Sequence, residues 1–303
     1  MFHHFCGGRH PAGQGALTAE QFDLLLDRCG PTLVSAEEWL ERFRDDRLNG
    51  RMCVTLDDNL RCQFDIALPV LDARGLTALW FVYSSPLAGT LERLEVYRFY
   101  RSVAYDDVEQ FYATFDEQLF KSRFGAQAQE ALADFDPSQY LTKFAFYTDG
   151  DRTFRFLRDR VLGRAPYNEL MDQMVHDWMS ERDEDLLELL WMDGGTWADL
   201  TRSGHVVGLH SHTHPTDIAS MSVDEQRQEY VLNRDAIAAA TGKLPTMVAH
   251  PVGSYSSETL EILRDLGVTL GFATAGPVRF DPAMEVLRHD SADLMVDAGL
   301  RQR

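Results

Sequence analysis

The chain has 303 residues, of which 45% are hydrophobic and 25% charged. That is enough apolar material to bury a full core, as one large domain or two smaller ones. Its formal net charge of −19 opposes counterion-release binding to phosphate backbones and adhesion to anionic lipid, which excludes nucleic acid and membrane as expected partners.

The N-terminal text MFHHFCGGRHPAGQG has neither a basic leader with an apolar run nor a small-residue cleavage site, and no run of about eighteen apolar residues follows it. The expectation is an unprocessed cytoplasmic protein. Cys6, Cys29, Cys53 and Cys62 form no CxxC pair, so they read as reduced structural thiols. Thr18 to Gln21 is a capping-box pattern ahead of a helix ending near Gly30, and Ser35 caps a second helix through Glu41. Met52 to Leu56 reads as a strand. Gln63 to Ala73 reads as a helix closed by Gly75, and Thr77 to Tyr83 as a buried strand.

From about 86 to 190 this rhythm breaks. Val108, Phe111, Tyr112, Phe115 and Leu119 recur at helical spacing with no clear strand nearby, which predicts a helical insertion. Its aromatics read as the insertion's own core, with a lid as the functional alternative. Strand and helix then alternate again. Val206 to His210 is a strand, Ser222 with Glu225 boxes a helix reaching Gly242, and Thr246 to Ala249 is a strand. Ser256 starts a helix stopped at Gly267, and Val268 to Ala273 is a further strand. Short apolar strands alternating with capped helices predict an α/β fold, a parallel barrel.

Three clusters fall at the C-terminal ends of predicted strands, where such folds bind ligands. The first is Asp57-Asp58-Asn59. Adjacent strand residues face opposite ways, so both carboxylates share a site only if the chain turns, and Asn59 tolerates the positive φ of a turn. Two such carboxylates can divide labour, one on a metal and one as a base; the plainer reading is a strand-end turn with capping duties. The second is His210-Ser-His-Thr-His214-Pro215. On an extended strand His210 and His214 would lie on the order of 13 Å apart at about 3.3 Å per residue. Sharing one ion requires the chain to curl, bringing both together and sending His212 elsewhere. With Asp58 they make the three-ligand, open-position pattern of catalytic zinc; the alternative is three exposed histidines without a metal. The third, His250 to Tyr255, is a Pro/Gly turn able to aim backbone N–H groups.

In this order the clusters resemble the polysaccharide deacetylase family, carbohydrate esterase family 4, on Thr55–Asn59, His210–His214 and Pro251–Gly253. The likeness extends over roughly 50–85 and 200–290. It implies a deformed parallel (β/α) barrel, usually of seven strands, and zinc or another divalent ion such as nickel, cobalt or manganese. Carried over by position, Asp57 is the base, Asp58, His210 and His214 the metal ligands, and Val252 a backbone donor to the oxyanion.

The chain departs from the family in four places. Asn59 stands for the usual Gly, and Val252 for an aromatic. No late Leu-x-His element supplies the acid, and the 86–190 insertion lies outside the common plan. A circularly permuted branch carries the acid in an N-terminal Tyr-His-x-Ile strand. FHHF resembles that strand with His3 in place, and His289 in EVLRHD is the fallback. Arg288 is a candidate to pair with Asp57 and keep it ionised, or else is a salt-bridged surface Arg.

The expected activity is metal-dependent hydrolysis of an amino-sugar acetamide, in a sugar nucleotide or another intracellular glycan-biosynthesis intermediate. A non-sugar amide and a non-catalytic saccharide-binding protein are the alternatives. The partner expected is thus a small-molecule or saccharide substrate, and a homo-oligomer is compatible with it.

Overall fold

The computed structural model describes residues 1–13, 15–143, 147–274 and 280–297. The chain divides into two compact units, Met1–Glu92 with Leu186–Arg303, and Arg93–Asp185. In chain order the first unit begins with α1 (Ala19–Cys29), α2 (Ala36–Arg44), β1 (Thr55–Asp57), α3 (Leu68–Ala73) and β2 (Leu79–Val82). The second unit contains α4 (Arg93–Val103), α5 (Val108–Lys121), α6 (Gly125–Leu132), α7 (Asp149–Phe156) and α8 (Arg164–Met179). The first then resumes with α9 (Leu186–Leu190), α10 (Gly194–Arg202), β3 (Val206–Leu209), α11 (Val223–Thr241) and β4 (Met247–Ala249). It closes with α12 (Ser257–Asp265), β5 (Leu270–Ala273), β6 (Val286–Leu287) and α13 (Ser291–Asp297).

Among the described residues the six strands are parallel and follow chain order β1 to β6. The sheet curls on itself. Phe81 on β2 and Phe272 on β5 have ring centroids 5.2 Å apart although two strands separate theirs, which a flat sheet spaced about 4.8 Å per strand forbids. Alternate residues of β2, β4 and β5 (Leu79 and Phe81, Met247 and Ala249, Leu270 and Phe272) fill the interior with Trp39 and Leu40 of α2. Each large side chain buried there contributes about 2–3 kcal/mol relative to exposure. Gly208 on β3 is required by this packing, since a Cβ would lie 2.7 Å from the Phe81 ring.

The N-terminal segment occupies the gap between the end of β6 and β1. Phe2 bridges Leu56 in parallel, its N–H donating to Thr55 O at 2.9 Å while Asp57 N–H donates to Phe2 O at 3.1 Å. On its other side Ser291 N–H donates to Met1 O at 3.0 Å. The deformed α/β barrel implied by the resemblance is therefore present, with six strands among the described residues and a seventh position taken by bridge-paired residues.

Several boundaries differ from expectation for local reasons. β1 starts at Thr55 because Met52 is drawn into a bridge with Leu33. The helix expected from Gln63 opens with a π turn over Gln63–Ala67. Pro69, with no N–H to give, follows that widened turn. The capping boxes of α1 and α11 form as predicted, with Gly30 and Gly242 at their C-caps.

In the second unit Phe111, Tyr112, Phe115 and Leu119 are buried along α5, whereas Val108 is exposed. Phe154 of α7 packs on Phe111, Tyr112 and Phe115 with centroids 4.9–5.4 Å apart. The aromatic stripe is thus this unit's own core. No helix among the described residues is long and apolar enough to cross a membrane.

Candidate metal centre

β1 ends on Asp57, and the chain turns at once. Asp58 and Asn59 both have positive φ, 80° and 57°, which swings two consecutive carboxylates toward one end of the barrel. Asn59 holds the turn from inside. Fully buried, it accepts from Trp197 Nε1 at 2.6 Å and donates through Nδ2 to Met192 O at 3.2 Å, while Met192 N–H donates to its carbonyl at 3.1 Å.

The loop after β3 curls for the same kind of reason, with Ser211 and His214 at φ 67° and 52°. Two buried side chains one turn apart on α11 fasten it. Asn233 Oδ1 accepts from His210 N–H at 2.9 Å, and Asn233 Nδ2 donates to Val82 O at 2.9 Å. Glu229 Oε2 accepts from the N–H groups of His212 (2.9 Å) and Thr213 (2.7 Å), and Oε1 from the Thr213 hydroxyl (2.7 Å). His212 points away from the cluster, its Nδ1 2.9 Å from Ser84 Oγ.

His210 and His214 consequently meet, their ring centroids 4.9 Å apart. Asp58 Oδ1 lies 3.2 Å from His210 Nε2 and 3.3 Å from His214 Nε2. One donor atom from each of Asp58, His210 and His214 falls within 4.8 Å of the others. Zinc bonds of about 2.0–2.2 Å at tetrahedral angles place donors about 3.3–3.5 Å apart, so the spacing fits a shared ion. The tautomer fits too. His210 Nδ1 lies 2.8 Å from Ala249 O; donating there, the neutral imidazole turns its Nε2 lone pair to an ion, the outer-partner arrangement of metal-binding imidazoles, whereas the protonated imidazole donates Nε2–H to Asp58 at 3.2 Å. Burial alone raises the Asp58 pKa, but the hydrogen bond from His210 and the fields of His3 and His214 hold it well below the usual carboxylate range. Burial lowers His210, and its bond to Asp58 with the charge of Asp57 raises it by more.

Asp57 sits beside the cluster in a different environment. Arg288, just past β6, donates NH1 to Asp57 Oδ1 (2.8 Å) and NH2 to Oδ2 (2.7 Å), with both side chains buried. The guanidinium also lies over the Phe81 and Phe272 rings at 5.6 and 5.9 Å, inside the barrel. Burial raises the Asp57 pKa, but the charge and hydrogen bonds of Arg288, with the fields of His210 and His3, outweigh it, so the carboxylate is held below its ordinary range. Each oxygen keeps a second lone pair for a proton.

His3 reaches the same place from the N-terminal segment, its Nε2 3.9 Å from both Asp57 Oδ2 and Asp58 Oδ2. Gln63 ties the N-terminal segment to the end of β1 by donating Nε2 to His3 O at 2.8 Å and to the Asp57 carbonyl. His289 is exposed. Val252 lies on the turn Pro251–Gly253 with φ 53° and an exposed side chain, three residues past the Ala249 carbonyl that fixes His210. His250 is turned to Met284 O at 2.8 Å, and burial takes its pKa down to about 4.

Five of the eight non-glycine residues with positive φ among the described residues are Asp58, Asn59, Ser211, His214 and Val252. Such backbone is costly, and its concentration at three strand ends marks a functional site. Gln63, Glu229 and Asn233 escaped the sequence reading because a polar residue on a helix ordinarily faces water. Their near-complete burial is a fact of the fold.

The polysaccharide deacetylase family profile matches residues 193–271, which contain His210, His214 and Val252. None of the curated proteins matches the chain significantly. Among solved structures, the Streptococcus pyogenes deacetylase PplD is similar at 15% identity over 95% of this chain and 88% of its own, with a TM-score of 0.54. IcaB from Ammonifex degensii is similar at 16% over 100% and 95%, TM-score 0.52. The de-N-acetylase from Aggregatibacter actinomycetemcomitans is similar at 12% over 95% and 91%, TM-score 0.53. At these identities the likeness is one of fold.

Proposed function

We infer that this chain, a member of the polysaccharide deacetylase family (carbohydrate esterase family 4), is a metal-dependent deacetylase acting on the acetamide of an amino sugar. One observation carries the reading: three donors from Asp58, His210 and His214 converge, with a fixed carboxylate, Asp57, and an imidazole, His3, beside them. A divalent ion held by those donors, zinc or else nickel, cobalt or manganese, supplies Lewis acidity and brings the pKa of a water toward 7.

The chain's own groups do the rest. Asp57, aimed by the Arg288 fork, accepts the proton of the attacking water. The Val252 N–H, presented by its left-handed turn, donates to the oxygen of the tetrahedral intermediate. His3 Nε2 delivers a proton to the departing amine, without which an amine leaves poorly. We read the two units as one barrel domain interrupted by a helical insertion, and the substrate as a sugar nucleotide or other intracellular biosynthetic intermediate.

The test is acetate release by metal-stripped and zinc-reconstituted protein against acetylated amino sugars, sugar nucleotides and small amides. Zinc-dependent release from an amino sugar is expected. Turnover of small amides alone would make the protein a non-sugar amidase, and a protein that takes up no divalent ion would not be an enzyme of this kind.

A further inference from the structure

The chain leaves the barrel unit after Glu92 and re-enters it at Leu186. The barrel segments on either side of that excursion are bonded to different ligand-bearing turns. On the way out, the N–H groups of Ser84 and Ser85 donate to His212 O at 3.2 and 2.9 Å, and Ser84 Oγ lies 2.9 Å from His212 Nδ1. On the way back, Trp191 forms an antiparallel bridge with Leu60, directly after Asp58 and Asn59. Its indole Nε1–H donates to the Tyr83 hydroxyl, and the Tyr83 ring lies against His214 with centroids 5.4 Å apart. Trp191 and Tyr83 are almost wholly buried, 3% and 1% exposed.

We propose that Trp191 is a positioning residue for the metal ligands, setting Asp58 on one turn against His214 on the other. The inference rests on the metal-dependent reading and extends it to a residue outside the ligand set. Main chain and side chain of Trp191 serve different turns. The bridge to Leu60 fixes where Asp58 stands, because the residue between them, Asn59, is itself locked by Met192 and Trp197. The indole fixes Tyr83, whose ring limits how far the His214 imidazole can swing. The clamps from α11 act on His210, His212 and Thr213, so the support to the His214 ring comes from another quarter. An indole suits the place, since it fills apolar volume and carries one N–H for a buried hydroxyl.

The experiment is zinc competition against a chelator, together with the visible spectrum of the cobalt-substituted protein, which responds to the arrangement of the donors. Trp191→Phe keeps an aromatic ring and removes the N–H. It should weaken zinc about tenfold, the lower end of the loss expected for an outer partner of a ligand, and shift the cobalt bands. Tyr83→Phe should do the same, and the double variant should lose no more than either single one, because all three delete one hydrogen bond. Trp39→Phe is the comparison. It removes a buried indole that donates to Arg51 O from the barrel core, and should lower stability to urea while leaving zinc affinity and the cobalt spectrum as in the wild type. Unchanged zinc affinity in folded Trp191→Phe and Tyr83→Phe, or an equal loss in Trp39→Phe, would overturn the positioning role. If circular dichroism shows Trp191→Phe to be misfolded, Tyr83→Phe, which deletes one oxygen, decides alone. A wild type that takes up neither zinc nor cobalt sinks the metal-dependent reading and this inference with it, whereas equal binding by wild type and variants sinks the inference only.

Discussion

The loop carrying His210 and His214 and the N-terminal segment carrying His3 deliver imidazoles to the same carboxylates by different means. The loop is clamped by buried side chains of α11, with Glu229 and Asn233 taking up three N–H groups and a hydroxyl of a backbone that is strained at Ser211 and His214. The N-terminal segment is extended and held by main-chain pairing to β1 and Ser291 and by Gln63. The difference matches the chemistry that the proposed function asks of each. Ligands must hold fixed positions before an ion arrives, and the cost of strain is met by buried hydrogen bonds. A proton donor has to face the substrate, and the His3 side chain is 29% exposed against 3% for His210.

Asp58→Asn attacks the point where both segments converge. It should cost bound zinc and roughly a thousandfold or more in acetate release, the several kcal/mol that an ion contributes to the transition state. Elemental analysis showing full zinc in this variant would contradict the assignment.

Arg288→Met tests the carboxylate beside the loop. Leaving a buried Asp57 unpaired should destabilise the fold by about 3–5 kcal/mol, measured by chemical unfolding. The sign with pH follows from Asp57. In the wild type its folded pKa lies below the ordinary value of about 3.9, so its contribution is present above that pH and is lost as pH falls through the lower folded value. Without Arg288 the upward push of burial is opposed only by the fields of His210 and His3, so the folded pKa rises and the variant's deficit should shrink as pH falls toward about 4. A deficit independent of pH would remove the pair from this account.

His3→Ala should lower kcat about 100-fold, the lower part of the range for general acid catalysis, and leave zinc in place. Loss of zinc would make His3 a ligand, and retained turnover would remove it as the acid. Glu229→Ala should weaken zinc binding about 10–100-fold in a chelator competition, while Gln63→Ala leaves zinc affinity as it was. If both variants shift it equally, the contrast between the two segments fails.

Much of this site is legible in the sequence because turns have chemical requirements. The spacing of His210 and His214 demands a curl if they are to share an ion, and the structure has that curl, with His212 turned outward to Ser84. Asn59 allows a left-handed turn, and both it and Asp58 adopt one. Strands β1 to β5 and helices α1, α2, α11 and α12 follow from apolar runs and caps. The two-residue β6 does not, since Val286–Leu287 is too short to show periodicity, and with it the barrel-interior position of Arg288 stays hidden. The N-terminal segment is held to the barrel by isolated bridges, which have no signature along the chain. Glu229 and Asn233 look like the wet face of a helix until α11 packs against β3.

The central claim is a division of labour between neighbours, Asp58 holding the ion and Asp57 moving the proton. Asp57→Asn, assayed in parallel for zinc content and for acetate release from an acetylated amino sugar, tests it most directly. The account predicts one zinc per chain, as in the wild type, with turnover abolished. A variant that loses its zinc, or keeps its turnover, would contradict it.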